Sequence, residues 1–103
     1  MTEPIRIRSR TADGLTEVRI LMPHPMETGM RQGSDGVLLP AHHITEVRVT
    51  VADRPVFAAS MSYAVAQDPL LSFKFRGGRP GERLRVSWTD NLGEQRSDDA
   101  LLG

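Results

Sequence analysis

Apolar and polar side chains alternate in seven short stretches of this chain. In one of them, Val47, Val49 and Val51 alternate with charged or hydroxyl side chains. A period of two places the apolar set on one face of an extended strand, and none of the stretches shows sustained helical periodicity. The pattern predicts strands over about residues 5–10, 16–22, 43–51, 56–61, 70–75, 83–88 and 94–97.

Turn-forming residues separate the predicted strands, at 13–14, 52–55, 76–81 and 90–93. All seven prolines fall at strand starts, in turns or in one long loop, as expected because proline lacks the N–H that a central ladder needs. Seven short strands predict one all-β domain over residues 1–103, an immunoglobulin-like antiparallel β-sandwich. Residues 62–68 fit either a helical turn or a crossover.

The inward faces of these strands define the expected core. It contains Val18, Ile20, Val47, Val49, Phe57, Phe73, Phe75, Leu84, Val86 and Trp88. Trp88 is the single tryptophan, and burial of such a ring removes roughly 150–250 Å² from water.

The long loop from Pro23 to Pro40 is unusually apolar. Loops of this length without secondary structure are usually functional or disordered, and its paired prolines disfavour disorder. Methionines on a binding surface adapt to a partner, and Met26 is expected to be an exposed anchor. The predicted partner-binding residues are Leu21, Pro23, His24, Pro25, Met26, Met30 and Leu38.

Charge and composition narrow the choice of partners. Thirteen basic and thirteen acidic residues balance to zero, so no long-range field favours nucleic acid or an anionic membrane. No apolar run reaches membrane-spanning length. The chain has no cysteine and therefore no disulfide or thiol nucleophile. Residues 1–10 lack the apolar region of a secretory signal, so the chain on its own is expected in the cytoplasm.

The sequence contains few candidates for catalytic residues. No serine lies in a nucleophile-elbow context, and the spacing singles out no pair among Glu27, Asp35, Asp68 and Asp90. The glycine-rich turn at 76–81 joins two strands instead of opening a helix, which excludes a phosphate loop. The prediction is therefore a protein that is not an enzyme, with no catalytic residue, cofactor or metal.

A copper site is the alternative hypothesis. Two thioethers, from Met22 and Met26, flank the imidazole of His24, and such soft ligands suit Cu(I). The strand pattern turns Met22 into the core, which leaves His24 and Met26. The alternative function is accordingly a small periplasmic copper-binding β-sandwich protein that uses these two residues.

The run VRILMPHPMETG at 18–29 resembles the SoxZ family of the bacterial thiosulfate-oxidising Sox system. The likeness covers nearly the whole chain. It includes PIRIR at 4–8, PAHHI at 40–44, DPLLSFKF at 68–75 and the stretch from PGE to WTDN at 80–91.

This resemblance implies a non-catalytic subunit that forms a heterodimer with SoxY. A cysteine on the C-terminal arm of SoxY carries covalent sulfur intermediates between the Sox enzymes, which make transient contacts with the heterodimer. SoxZ supplies a sandwich that supports SoxY, and the absence of cysteine here fits that role. The family works in the periplasm, which it reaches by export with signal-bearing SoxY. A homo-oligomer of the isolated chain is left open.

Overall fold

The computed structural model describes residues 2–62 and 65–103, in which seven strands form two antiparallel sheets. The strands are β1 (Arg6–Ala12), β2 (Leu15–Leu21), β3 (Ile44–Val51), β4 (Arg54–Ser60), β5 (Leu70–Arg76), β6 (Arg83–Asp90) and β7 (Gln95–Leu101). One sheet has the order β1-β2-β5 and the other β4-β3-β6-β7. The all-β sandwich predicted from the alternation is confirmed.

Strand ends deviate most from prediction at β7. This strand continues to Leu101, beyond the predicted end at residue 97, because it pairs with β6 along its whole length. β6 itself extends to Asp90 and not only to Trp88. The segment 62–68, for which two structures were open, includes residues 63 and 64, which lie outside the described residues.

The core lies between the two sheets. Its fully buried side chains include Trp88, Ile20 and Met22, and burial of an aliphatic side chain contributes roughly 1.5–3 kcal/mol. Seven of the ten predicted core residues are buried, and the three phenylalanines are the exceptions. Phe57, Phe73 and Phe75 are only half-buried, since they lie on the edge strands β4 and β5, and Phe57 and Phe73 stack at 4.5 Å between ring centroids.

Hydrogen bonds from backbone amides also link the two sheets where β1 lies next to β7. The amide of Ile5 donates to Asp98 Oδ2 at 2.8 Å, and the amide of Thr11 donates to the carbonyl of Gly103 at 3.0 Å. These bonds satisfy edge-strand groups that would otherwise face solvent. Among residues 2–62 and 65–103 there is no helix long and apolar enough to cross a membrane.

Candidate functional site

In the structure the long loop spans residues 22–43, between β2 and β3, and two of its histidines converge on one buried carboxylate at the end of β6. His24 Nε2 lies 3.0 Å from Asp90 Oδ2, and His42 Nε2 lies 2.8 Å from the same oxygen. The side chain of Asp90 is fully buried. The loop therefore folds back onto the sandwich through contacts between residues far apart in sequence.

The second oxygen of Asp90 holds the turn between β6 and β7. Oδ1 accepts hydrogen bonds from the amides of Leu92 at 3.0 Å and Glu94 at 2.9 Å. Burial alone would raise the pKa of Asp90, but the bonds from the two histidines and two amides outweigh it and lower that pKa below its usual value. Asp90 is consequently an anion at neutral pH.

Backbone pairing fixes the point where the loop leaves β2. His24 and Asp68 exchange two hydrogen bonds, from the His24 amide to Asp68 Oδ1 and from the Asp68 amide to the His24 carbonyl, each 2.9 Å long. Pro23 and Pro25 restrict the backbone on either side of His24, so the imidazole needs little further ordering to reach Asp90.

The returning end of the loop is held in a similar way. Glu27 and His42 exchange backbone hydrogen bonds of 2.6 and 2.9 Å in an isolated antiparallel bridge. Gly29 lies opposite Ala41 with a φ of +86°, and a Cβ there would come 3.2 Å from the Ala41 Cβ. Glycine thus permits both the left-handed backbone and the close approach.

Met26 corrects the prediction of an exposed anchor, because only 5% of it is exposed. Its sulfur accepts the Ile44 amide at 3.3 Å, and its own amide donates to His24 Nδ1 at 3.1 Å. The backbone at Met26 has a φ of +50°, a left-handed conformation that turns the side chain inward here.

This bonding determines the tautomer of His24. Because Nδ1 accepts the Met26 amide, the ring proton is on Nε2 and is donated to Asp90. A metal-binding histidine has the reverse arrangement, in which one nitrogen binds the metal and the other donates. Potential ligand atoms of His24, His42 and Asp90 do lie within 4.8 Å of one another, but their hydrogen bonds give His24 the role of a donor.

The copper hypothesis is disfavoured by the same contacts. Its two ligands, His24 and Met26, use their nitrogen and sulfur atoms in hydrogen bonds to Asp90 and the Ile44 amide. Cu(I) would have to displace both bonds in a buried environment. The geometry instead fits a polar clamp, the name used below for His24, His42 and Asp90 together.

A cavity of about 290 Å³ adjoins the clamp. Its walls include the rings of His42 and Trp88 and three carboxylate residues, Glu3, Asp68 and Glu94. Glu94 Oε1 is also 3.1 Å from His42 Nε2. Acidic walls disfavour an anionic ligand, so this cavity does not suit an inorganic sulfur oxyanion.

The other predicted partner-binding residues are distributed unevenly. His24 is buried along with Met26, whereas Leu21 and Pro23 are half-buried and Pro25 is exposed. Met30 and Leu38 are exposed by 68% and 55%. Whether any of them contacts a partner stays a prediction.

The outer part of the loop is a small hairpin. Gln32 and Leu38 form an isolated bridge, and the amide of Leu39 donates to the Arg31 carbonyl at 2.8 Å. Arg31 also binds Glu27 through both carboxylate oxygens, at 2.5 and 3.1 Å, and this bond lowers the pKa of Glu27. The exposed apolar side chains are therefore presented on an ordered segment.

The role of Asp90 was missed from the sequence, although a signal was available. Leu84, Val86 and Trp88 face inward, and one further step of the alternation reaches Asp90. A carboxylate on an inward face requires buried donors. Because the strand was predicted to end at Trp88, Asp90 was assigned to the turn.

A family model described as "Sulphur oxidation protein SoxZ" matches residues 5–100 of the chain. No curated protein sequence gives a significant match.

Solved structures share the fold at low identity. A hypothetical protein, PH1083 from Pyrococcus horikoshii OT3, is 17% identical with a TM-score of 0.71, over 99% of this chain and 89% of that one. A superoxide reductase in the oxidised state has 15% identity and a TM-score of 0.70 over the same shares. Superoxide reductase (neelaredoxin) from Archaeoglobus fulgidus in the reduced form has 19% identity and a TM-score of 0.65, over 97% and 87%. These likenesses concern the fold alone.

Proposed function

This chain belongs to the SoxZ family of sulphur oxidation proteins, and from that membership we propose that it is the non-catalytic subunit of a SoxYZ sulfur-carrier heterodimer. The match over residues 5–100 carries the proposal. In the proposed heterodimer the sulfur intermediates are bound to a SoxY cysteine, as the family resemblance implies, and the absence of cysteine from this chain agrees with that division of roles. Its part is to support SoxY while the cysteine-bearing arm visits the Sox enzymes.

The construction of the long loop supports a scaffolding role. The clamp and the Glu27–His42 bridge hold the base of the loop against the sandwich, so the outer hairpin starts from a fixed position. On that hairpin Met30, Val37 and Leu38 are all more than half exposed. A preordered apolar segment loses little conformational entropy on binding, which favours it as the SoxY contact.

The chemistry of the clamp agrees with a subunit that does not itself turn over substrate. His24 is bonded at both ring nitrogens, and Asp90 accepts four hydrogen bonds within the chain. Groups committed to such bonds are poorly placed to exchange protons with a substrate. We therefore assign the clamp to loop positioning.

The proposed location is the periplasm, with export as a complex with signal-bearing SoxY. The resemblance to the family supports this location. Expression of this chain with and without SoxY, followed by fractionation, tests it. The chain should reach the periplasm only in the presence of SoxY, and equal periplasmic yields would contradict the proposal.

The heterodimer is tested by co-expression of this chain with a SoxY from the same organism, affinity capture through a tag on SoxY, and native mass spectrometry. The expected result is a complex of the two chains in equal number. A SoxY variant with its arm cysteine changed to serine is the control and should still capture this chain, because the proposed contact does not involve that thiol. Capture of neither chain by the other would overturn the proposal.

A further inference from the structure

The outer face of the three-stranded sheet carries all six basic side chains of its strands. Strand register places Arg8 beside Arg19, and it places Glu17 between Arg10 and Lys74. Paired residues point to the same side of a sheet. The cations on this face, called the basic face below, are Arg6, Arg8, Arg10, Arg19, Lys74 and Arg76.

These cations are exposed and largely uncompensated. Glu17 is the one carboxylate at the outward positions of β1, β2 and β5. The basic face therefore has a net charge of +5, in a chain whose total charge is zero. Among the ion pairs of the described residues, one lies on this face, between Arg19 and Glu17 at 3.7 Å. Neighbouring arginines therefore repel one another in the free protein, and an anionic partner would relieve that repulsion.

The outer face of the four-stranded sheet has a different organisation. Its arginines are paired within the chain, Arg48 with Glu46, and both Arg83 and Arg85 with Asp99. The bond to Arg85 lowers the pKa of Asp99, so that carboxylate stays charged at neutral pH. Two sheets of one domain therefore differ in whether their surface charges are satisfied internally.

We propose that the basic face is a docking surface for a protein partner that presents a cluster of carboxylates. Five of the six cations are arginine, whose planar fork matches a carboxylate in a bidentate geometry that lysine cannot reproduce. Arginine is also the charged residue that is enriched at protein interfaces. The partner is identified here by its acidic surface, and the proposal does not depend on the SoxY assignment.

The composition of the face favours a protein over nucleic acid or a membrane. Leu21 and Leu70 lie at one end of the face and Leu15 at the other, and Glu17 lies between the basic rows. A continuous phosphate surface would meet Glu17 as a repulsive group, whereas a protein can place a basic or polar residue opposite it. Dissolved salt screens the attraction beyond about one Debye length, roughly 8 Å at physiological ionic strength, so the face acts on a partner only at short range.

The size of the face indicates a transient contact. Three strands about 4.8 Å apart, with four outward rows about 6.8 Å apart, present roughly 400 Å². A stable interface buries about 800 Å² on each partner. The basic face alone is therefore suited to fast, salt-sensitive encounters.

The test uses the full chain labelled with ¹⁵N and a poly-L-glutamate peptide as the carboxylate probe. At an ionic strength of about 0.01 M, where the Debye length is about 30 Å, saturable binding is expected. Amide shifts should change in β1, β2 and β5. The double variant Arg8→Glu/Arg19→Glu should raise the Kd at least about tenfold, since two attractions become repulsions.

The matched control is Arg48→Glu/Arg85→Glu, which changes the net charge equally on the other sheet. It should leave the Kd within about twofold. The milder variant Arg8→Gln/Arg19→Gln should weaken binding less than the reversal does, and thermal melting checks that each variant folds. Equal losses in both charge-reversal variants would overturn the proposal. Tighter binding through these strands to phosphatidylglycerol vesicles or duplex DNA than to poly-L-glutamate would also overturn it.

Discussion

The base and the tip of the long loop contain similar residues but belong to different parts of the molecule. The base comprises residues 23–29 and 40–43, and the tip comprises residues 30–39. Met26 in the base is 5% exposed, whereas Met30 in the tip is 68% exposed. Four positions along one loop separate a core side chain from a surface side chain.

The difference originates in polar contacts. The base is bonded to Asp90, to Asp68 and to the start of β3 through Ile44. The tip is bonded mainly to itself, for example from the Gly33 amide to the Val37 carbonyl at 2.9 Å. Hydrophobic character alone does not decide which methionine is buried. Perturbations of the two parts should therefore affect different properties of the protein.

The largest loss of stability is expected from Asp90→Ala. It leaves the buried donors of the clamp and the β6–β7 turn without their acceptor, which should lower the free energy of unfolding by about 3–5 kcal/mol. Urea unfolding measures the change. The control is Asp99→Ala, which removes an exposed pair with Arg85 and should cost less than about 1 kcal/mol. Similar costs for the two variants would contradict a central role for the clamp.

Met26→Ala should have the next largest effect. Removal of a buried methionine side chain costs roughly 2–5 kcal/mol, and the lower part of that range is expected because Met26 keeps 5% exposure, unlike the fully buried core side chains. The same change at Met30 should stay within about 0.5 kcal/mol. Thermal melting of both variants makes the comparison directly. If Met30→Ala destabilised the chain as much, the distinction between base and tip would be wrong.

Low pH should reduce the contribution that Asp90 makes to the stability of the protein at the base of the loop. Its pKa is lowered in the folded chain, so its contribution is fully present above the unfolded value of about 3.9 and is lost as the pH falls through the lower folded value. The stability difference between the wild-type chain and Asp90→Ala should thus narrow below about pH 4. Asp98 and Asp99 also have lowered pKa values, but they are present in both chains and cancel in this difference. A gap that stays constant down to pH 2, or widens, would refute this linkage.

The strands were predictable because their signals are local. Alternation at residues 44–51 and a proline or glycine at nearly every turn specify where strands begin and end without knowledge of the rest of the chain. β7 was underestimated because its outer half, Ser97–Leu101, contains two aspartates that weaken a local strand signal. Pairing with β6 overcomes that weakness.

The base of the loop was not predictable in the same way. The two bonds from histidines to Asp90 join residues 66 and 48 positions apart, and no local pattern encodes them. Met26 has a positive φ, which is uncommon for a residue other than glycine. The direction of its side chain therefore could not be predicted from the alternation of an extended backbone. The net charge of the whole chain was also misleading, because a total of zero does not reveal that six basic side chains lie together on the basic face.

Substitutions at the tip are expected to have the smallest effect on the free energy of unfolding. Their effect on the affinity for SoxY should be larger than their effect on stability. Met30→Asp/Leu38→Asp alters side chains that are already in water and should shift the free energy of unfolding by less than about 0.5 kcal/mol. If these side chains are interface anchors, the same variant should weaken SoxY binding by about 2 kcal/mol, roughly thirtyfold in Kd.

A matched control separates loss of an anchor from a general effect of added charge. Leu101→Asp, on β7, is compared with the single variant Met30→Asp, because both side chains are 68% exposed and each variant adds one negative charge. Its effect on SoxY affinity should be less than about 1 kcal/mol, as for a residue outside the interface. Titration calorimetry with purified SoxY measures the affinities of the wild-type chain and of each variant, and equal weakening by Met30→Asp and Leu101→Asp would remove Met30 from the proposed interface. Loss of stability without loss of affinity would instead show that the tip, like the base, serves the fold of its own chain.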